Sequence, residues 1–327
     1  MTLFTPTTAP AISLFARYPG NPILTAAQWP YPANSVFNPG AVLLPSGETL
    51  LLARVEDRSG MSHLTTVLSA DGLTGWRIDT TPTMPALPLD CPEELWGIED
   101  PRIMWMPELS RYAITYTGYS ADGPLVCLAY TEDFRTFDRR GAILLPENKD
   151  AALFPRRFQG RWAIIHRPVP HLNAAKANIW VSYSDDMQHW GEHTMLLEAR
   201  NGAFWDADKI GLSTSPIETA DGWLLIYHGV RKTAGGVIYR VGLALLDIDD
   251  PCHVLARGDE WVFRPETNYE LTGDVPNVVF PCGAVLGANG DQLRVYYGAA
   301  DTSVAVATAS LAALLDWLKQ PRNGWRS

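Results

Sequence analysis

The chain returns five times to one pattern, and that repetition limits its fold more than any other feature. A short apolar strand, a turn, a second apolar strand and a polar tail recur in NPGAVLLPSGETLLLARVED from Asn38, EDPRIMWMPELSRYAITYTGYS from Glu99, DAALFPRRFQGRWAIIHRP from Asp150, LSTSPIETADGWLLIYHGV from Leu212 and FPCGAVLGANGDQLRVYYGAAD from Phe280. The starts lie 61, 51, 62 and 68 residues apart. Each turn carries a breaker: Pro45 and Gly47, Pro107, Gly160, Asp221 with Gly222, and Asn289 with Gly290. A third strand follows every hairpin, in SHLTTVLSAD, LVCLAYTED, NIWVSYSDD, YRVGLALLDIDD and SVAVATASLAAL. The first three of these lead into a trio: Ser69, Asp71 and Trp76; Thr131, Asp133 and Phe137; Ser184, Asp186 and Trp190. The trio predicts a turn in which the acid caps backbone amides before the aromatic opens a fourth strand. Modules of this size and strand count predict an all-β, five-bladed β-propeller, read as a single domain over residues 1–327 with short terminal extensions. An irregular sandwich would account for the strands but not for the repetition.

Composition narrows the partners. A net charge of −10 repels polyanions, so neither nucleic acid nor an anionic membrane is expected as a partner, and any anion site must be a local pocket. Charged residues make up 19% of the chain, beside 12 Trp and 12 Tyr, which fits an ordered protein with aromatic surfaces. No apolar run is long enough to span a bilayer, and the first residues have no basic stretch before an apolar one. Cys91, Cys127, Cys252 and Cys282 are scattered, with no metal or redox spacing. A cytoplasmic location is expected.

In a propeller the innermost strands surround a channel and their ends ring its mouth. The polar tails fall there: Arg54 and Glu56, Thr117, His166 and Arg167, Tyr227 and His228, Tyr297 and Asp301. The acids of WGIEDPRI, Glu99 and Asp100, open the second hairpin beside that mouth. Asp100 before Pro101 also suits an ordinary turn with an Arg102 ion pair. The functional alternative makes Asp100 a general acid, kept protonated by burial beside Trp96, with Glu99 accepting hydrogen bonds from sugar hydroxyls. Lys149, Arg167, Lys209 and His228 gather at the mouths of the third and fourth modules, and cations collected in an acidic protein point to a small anion, phosphate above all. An inverting glycosidase needs a second carboxylate to activate water, whereas phosphate is already a nucleophile. One acid facing one cationic pocket is the minimal equipment for phosphorolysis. Trp96, Trp205, Tyr116, Tyr227 and Tyr297 are candidates for stacking on sugar faces.

These residues resemble glycoside hydrolase family 130, the β-mannoside phosphorylases and related β-mannosidases. The likeness rests on RYPGNPIL, VFNPGAV, WGIEDPRI, ENKDAALFP, IIHRP, DKIG, PIETADGWLLIYHGV, VPNVVFPCGAV and YYGAADTSVAVA, and covers nearly the whole chain. It implies a five-bladed propeller and an inverting reaction in which Asp100 is the sole catalytic acid, passing its proton through the mannose 3-hydroxyl. It places phosphate ligands on Lys149, Arg167, Lys209 and His228, and sugar contacts on Asn38, Arg54 and Asp301, with Tyr227 and Arg156 adjacent. The cationic set favours a phosphorylase over the family's hydrolases. One departure is KIGLSTSP after Lys209, where many phosphorylases of this pattern read KIGAG. The implied reaction cleaves a terminal β-mannoside, such as β-1,4-mannosyl-N-acetylglucosamine, a β-1,4-manno-oligosaccharide or a β-1,2-linked mannoside, to α-mannose 1-phosphate. No metal or organic cofactor is expected, inorganic phosphate being a co-substrate, and a homo-oligomer is compatible with the sequence. The rival readings are a β-mannosidase of the same fold and a non-catalytic glycan-binding propeller.

Overall fold

The computed structural model describes residues 14–170 and 176–323. It contains five antiparallel sheets in sequence around a central channel, the predicted propeller. Blade 1 is built from Ser35–Leu43, Thr49–Glu56, Ser62–Ser69 and Arg77–Ile78, and blade 2 from Ile98–Met106, Arg111–Ser120, Gly123–Thr131 and Asp138–Leu144. Blade 3 comprises Asn148–Leu153, Trp162–Pro168, Ile179–Ser184 and Gly191–Leu197. Blade 4 comprises Lys209–Leu212 with Ile217–Thr219, then Gly222–Thr233, Gly236–Leu246 and Val254–Arg257. Blade 5 takes Val279–Leu286, Gln292–Ala299 and Ser303–Ser310 from one end of the chain and Ala16–Arg17 from the other.

The blades pack because their second strands are apolar on both faces, and the period of two sends alternate residues to opposite neighbours. In LLLA of blade 1, Leu50 and Leu52 join the core shared with blade 2, while Leu51 and Ala53 join the one shared with blade 5. In blade 4, Leu224 and Ile226 face blade 5, whereas Trp223, Leu225 and Tyr227 face blade 3. Each fully buried side chain of this kind contributes about 1.5–3 kcal/mol. The Ser/Thr-Asp-aromatic trios form the expected turns. Asp71 accepts from the amides of Leu73 and Thr74, Asp133 from Arg135 and Thr136, and Asp186 from Gln188 and His189. Trp76, Phe137 and Trp190 each sit one residue before the outer strand of their blade.

The closure of the ring was not evident from the repeats. Ala16 and Arg17 pair with Thr308 and Ala307, completing blade 5 with the N-terminal strand. Arg17 fixes it in place. Its Nε and Nη2 donate to both oxygens of Glu270 at 2.8 and 2.9 Å, its guanidinium lies 4.4 Å from the Phe263 ring centroid, and Glu270 is fully buried. Glu270 also accepts from Tyr297 Oη at 2.8 Å and from the amides of Glu266 and Thr267. Leu311–Leu318 forms a short helix near the C-terminus and packs Leu314, Leu315 and Leu318 onto the seam between blades 4 and 5.

Replacing Arg17 by Ala strands the buried Glu270 carboxylate, and the expected loss is about 3 kcal/mol in chemical denaturation. Tyr297→Phe removes one of several donors to the same group and is expected to cost about 1 kcal/mol.

Candidate active site

The inner strands share a local distortion exactly where the polar residues were expected to ring the mouth. Register slips occur between Phe37 and Gly40 in blade 1, Glu99 and Arg102 in blade 2, and Lys149 and Ala152 in blade 3. At each slip a non-glycine residue takes a left-handed backbone conformation: Asn38 with φ 44°, Asp100 with φ 50° and Asp150 with φ 54°. These are β-bulges, and a bulge re-aims a side chain that regular pairing would send into a blade seam. In the first two the next residue is proline, which has no N–H to lose from the ladder. The three re-aimed side chains line one cavity of about 210 Å³, together with Arg54, Lys149, Arg167, Lys209, His228, Tyr239, Phe280 and Asp301. A cavity of about 220 Å³ formed by the opposite ends of inner strands from blades 1, 2, 4 and 5 has no charged side chain in its walls, so the charged groups belong to the mouth end.

Asp150 organises the cationic side. It is fully buried; its Oδ2 accepts from Arg167 Nε at 2.8 Å and lies 3.5 Å from His228 Nε2, and its Oδ1 lies 3.6 Å from Arg102 Nη2. Burial opposes its charge, but Arg167, His228, Arg102 and Lys149 hold the carboxyl far below the usual range. Arg102 does not pair with the Asp100 side chain, as a simple turn would have it. Buried behind the cavity wall, it donates to the carbonyls of Asp100, Leu212 and Ser213, tying blade 2 to blade 4. Gly211, in the KIGLSTSP stretch, supplies space: a Cβ there would lie 2.5 Å from Asp150 Oδ2 and 2.7 Å from His228 Nε2. The departure after Lys209 therefore leaves the glycine that this contact requires.

Asp100 is almost completely buried, and its surroundings differ from those expected. Trp96 is 45% exposed and packs edge-on against Tyr119. The groups around the Asp100 carboxylate are Arg54 Nη1 at 3.1 Å, Asn38 Nδ2 at 2.9 Å and Lys149 Nζ at 3.9 Å. Desolvation alone would raise its pKa, yet Arg54, Lys149, Arg102 and the Asn38 amide outweigh it and keep the carboxyl below the ordinary value. Asp100 is therefore ionised in the free protein, not protonated. The raised acid is Asp301, pushed up to about 6 by burial and by the Asp100 carboxylate. His228 also departs from expectation. Burial, with Arg167, Lys209 and Arg102, lowers it to about 3 against the pull of Asp150, so it enters the cavity as a neutral imidazole and not as a cation. It packs 4.6 Å from the Phe280 ring centroid and 5.9 Å from that of Tyr239.

Asn38, Arg54, Asp100, Lys149, Arg167, Lys209, His228 and Asp301 thus come together. Glu99 stands at the edge of the group, bridging Arg54 Nη2 at 3.0 Å and Lys149 Nζ at 3.6 Å, so in the free protein its oxygens serve cations. Tyr227 is excluded: its ring stacks on Trp205 in the seam between blades 3 and 4, and its hydroxyl donates to the buried Asp206 at 3.1 Å. Strand parity explains this, because neighbours on one strand cannot share a face, and His228 takes the cavity side. The same alternation puts Tyr297 on Glu270, and His166 on Ser182 and Asn148. Tyr116 and Trp205 are buried too, so neither offers a stacking face. Arg156 lies on the outside of the seam, bonded to the Ile248 carbonyl and over Trp223. Asp150, Tyr239 and Phe280 were missed. Asp150 alone had a signal, an acid at the position matching Asn38 and Asp100 in the repeat.

Fold and cavity together define a propeller whose channel mouth sets buried aspartates against a cationic wall. A family model described as β-1,4-mannooligosaccharide phosphorylase matches residues 11–320, and the chain belongs to that family, glycoside hydrolase family 130. A β-1,4-mannooligosaccharide phosphorylase of Ruminococcus albus is 34% identical over 308 residues, covering 93% of this chain and 90% of its own. A β-1,2-mannobiose phosphorylase of Thermoanaerobacter sp. is 39% identical over 250 residues, 76% of each chain. The solved β-1,2-mannobiose phosphorylase of Listeria innocua, in complex with β-1,2-mannobiose, superposes with a TM-score of 0.84 at 28% identity, covering 93% of this chain and 99% of that one.

The raised pKa of Asp301 sets a pH dependence with a definite sign. A carboxyl whose folded pKa exceeds its unfolded value stabilises the fold fully below the unfolded pKa and loses that contribution as pH rises through the folded one. For a shift from 3.8 to about 6 the loss is at most about 3 kcal/mol by neutral pH. Asp301→Asn, which does not titrate, is expected to unfold at a higher temperature than the parent at pH 7.5. That advantage should shrink steadily toward pH 4.5, and an offset constant across this range would refute the assignment.

Proposed function

We propose that the protein is an inverting phosphorylase that cleaves a terminal β-mannoside with inorganic phosphate, releasing α-mannose 1-phosphate. The observation that carries this reading is the convergence of Lys149, Arg167, Lys209 and His228 with Asp100 in one small cavity. Asp100 is the proton donor, acting through the mannose 3-hydroxyl as the resemblance implies, with Asn38 and Arg54 orienting it and Asp301 and Glu99 available to sugar hydroxyls. Lys209 is the readiest phosphate ligand: its Nζ lies 5.1 Å from the Tyr239 ring centroid and it forms no ion pair with a carboxylate among the described residues.

The ionised state of free Asp100 fits this chemistry. Phosphate arriving beside Lys149 offsets the positive field that holds the Asp100 carboxyl down, so its pKa rises when the nucleophile is in place. The same charge favours protonation of His228. Among the side chains that line the cavity, Arg54, Lys149, Arg167 and Lys209 outnumber Asp100, Asp150 and Asp301 by one, which supports an anionic co-substrate. Phosphate positioned and charge-compensated in this way needs no second carboxylate and no metal or organic cofactor. The near-full-length likeness to the R. albus protein favours short β-1,4-linked oligosaccharides as substrates.

Incubating the protein with β-1,4- and β-1,2-mannobiose, with and without phosphate, tests the reading. Phosphate-dependent formation of α-mannose 1-phosphate is expected; equal turnover in both conditions would make it a hydrolase. Asp100→Asn should lower kcat about 10³-fold, the scale of a lost general acid, without unfolding the protein. Lys209→Met should raise the KM for phosphate about 10- to 100-fold while leaving the KM for the mannoside nearly unchanged.

A further inference from the structure

A second concave site lies on the rim between blades 2 and 3, and its chemistry differs from that of the catalytic cavity. It has a volume of about 350 Å³, within the range of small-molecule sites. Its walls are Ile143, Leu144 and Leu145 from the end of blade 2, with Trp180 and Trp190 and the His166–Pro168 edge from blade 3. Leu145 is 85% exposed and stands at the open edge of this apolar lining. No Lys, Arg, Asp or Glu lines the site.

The polar groups present are held in place. His166 Nδ1 meets the Asn148 side-chain amide at 2.9 Å and its Nε2 meets Ser182 Oγ at 2.7 Å, while Ser182 Oγ meets His193 Nδ1 at 2.6 Å. Burial, with His193 nearby, lowers His166 to about 3, so its imidazole is neutral at neutral pH. The Trp190 Nε1 donor is itself buried and has no protein partner among the described residues. A lining of indole and aliphatic surface with a few fixed neutral donors and acceptors excludes an ionic ligand. It matches a ring with an apolar C–H face and a hydroxyl rim.

We propose that this site binds a neutral saccharide ring, as a separate molecule from the one in the catalytic cavity. Only the choice of mannosides as probes rests on the function proposed above. The two sites are back to back on one strand pair: Asn148 and His166 face the rim site, and the adjacent Lys149 and Arg167 face the catalytic cavity. The rim site would thus retain an oligosaccharide beside the mouth.

Calorimetric titration of the Asp100→Asn protein with β-1,4-mannobiose, and separately with β-1,2-mannobiose, tests this without turnover. Two equivalents are expected with at least one of the sugars. Trp180→Ala and, independently, Leu145→Ala should each weaken the second equivalent at least tenfold and leave the first unchanged. Leu145 is so exposed that its substitution does not threaten folding, which covers the case in which Trp180→Ala destabilises blade 3. No bound equivalent, or none that is weakened by either substitution, overturns the proposal. Phosphate-dependent cleavage by the parent protein decides the catalytic reading separately, so either can fail alone.

Discussion

The cavity depends on the buried ion pairing of Asp150. Arg102, Arg167, Lys149 and Lys209 crowd a volume that excludes most water, and like charges at that spacing repel strongly where the local dielectric is low. A carboxylate held within reach of Arg102, Arg167 and His228 offsets that repulsion, and its own burial is tolerable because those partners surround it. The arrangement also fixes geometry: Arg167 is drawn from blade 3 toward the axis, and His228 is held from blade 4. Remove the acid and the positive wall has no reason to stay assembled.

The bulges in the inner strands bring the acid there. A regular strand would divide its side chains between two apolar seams and leave the channel to backbone. By inserting one extra residue, blades 1, 2 and 3 each turn a polar side chain toward the axis without disturbing the seams on either side. Asn38, Asp100 and Asp150 are versions of one structural position, specialised as a hydrogen-bond donor, an acid and an electrostatic anchor. In blade 4 the corresponding space is left to Gly211, because Asp150 and His228 already fill it.

Much of this was legible in the sequence, and the failures have a common cause. Hairpins, turns and the acid-capped corners follow from local chemistry and appear where the pattern put them. The convergence of seven of the eight residues followed from topology, since strand ends in a propeller meet at one place, whereas Asn38 came from the family resemblance. What the pattern did not carry was parity and field. Tyr227 and His228 are adjacent in the chain, yet alternation sends one into a seam and the other into the cavity. The protonation states of Asp100, Asp301 and His228 depend on through-space neighbours tens to hundreds of residues away, so a string of letters could place these groups but not titrate them.

The strand Ala16–Arg17 completes a sheet whose other three members come from the opposite end of the polypeptide. A ribosome therefore releases the first strand of the ring long before its partners exist, and the circle cannot close until the last blade has been made. A chain still being synthesised lacks the junction that completes the wall of the reaction chamber.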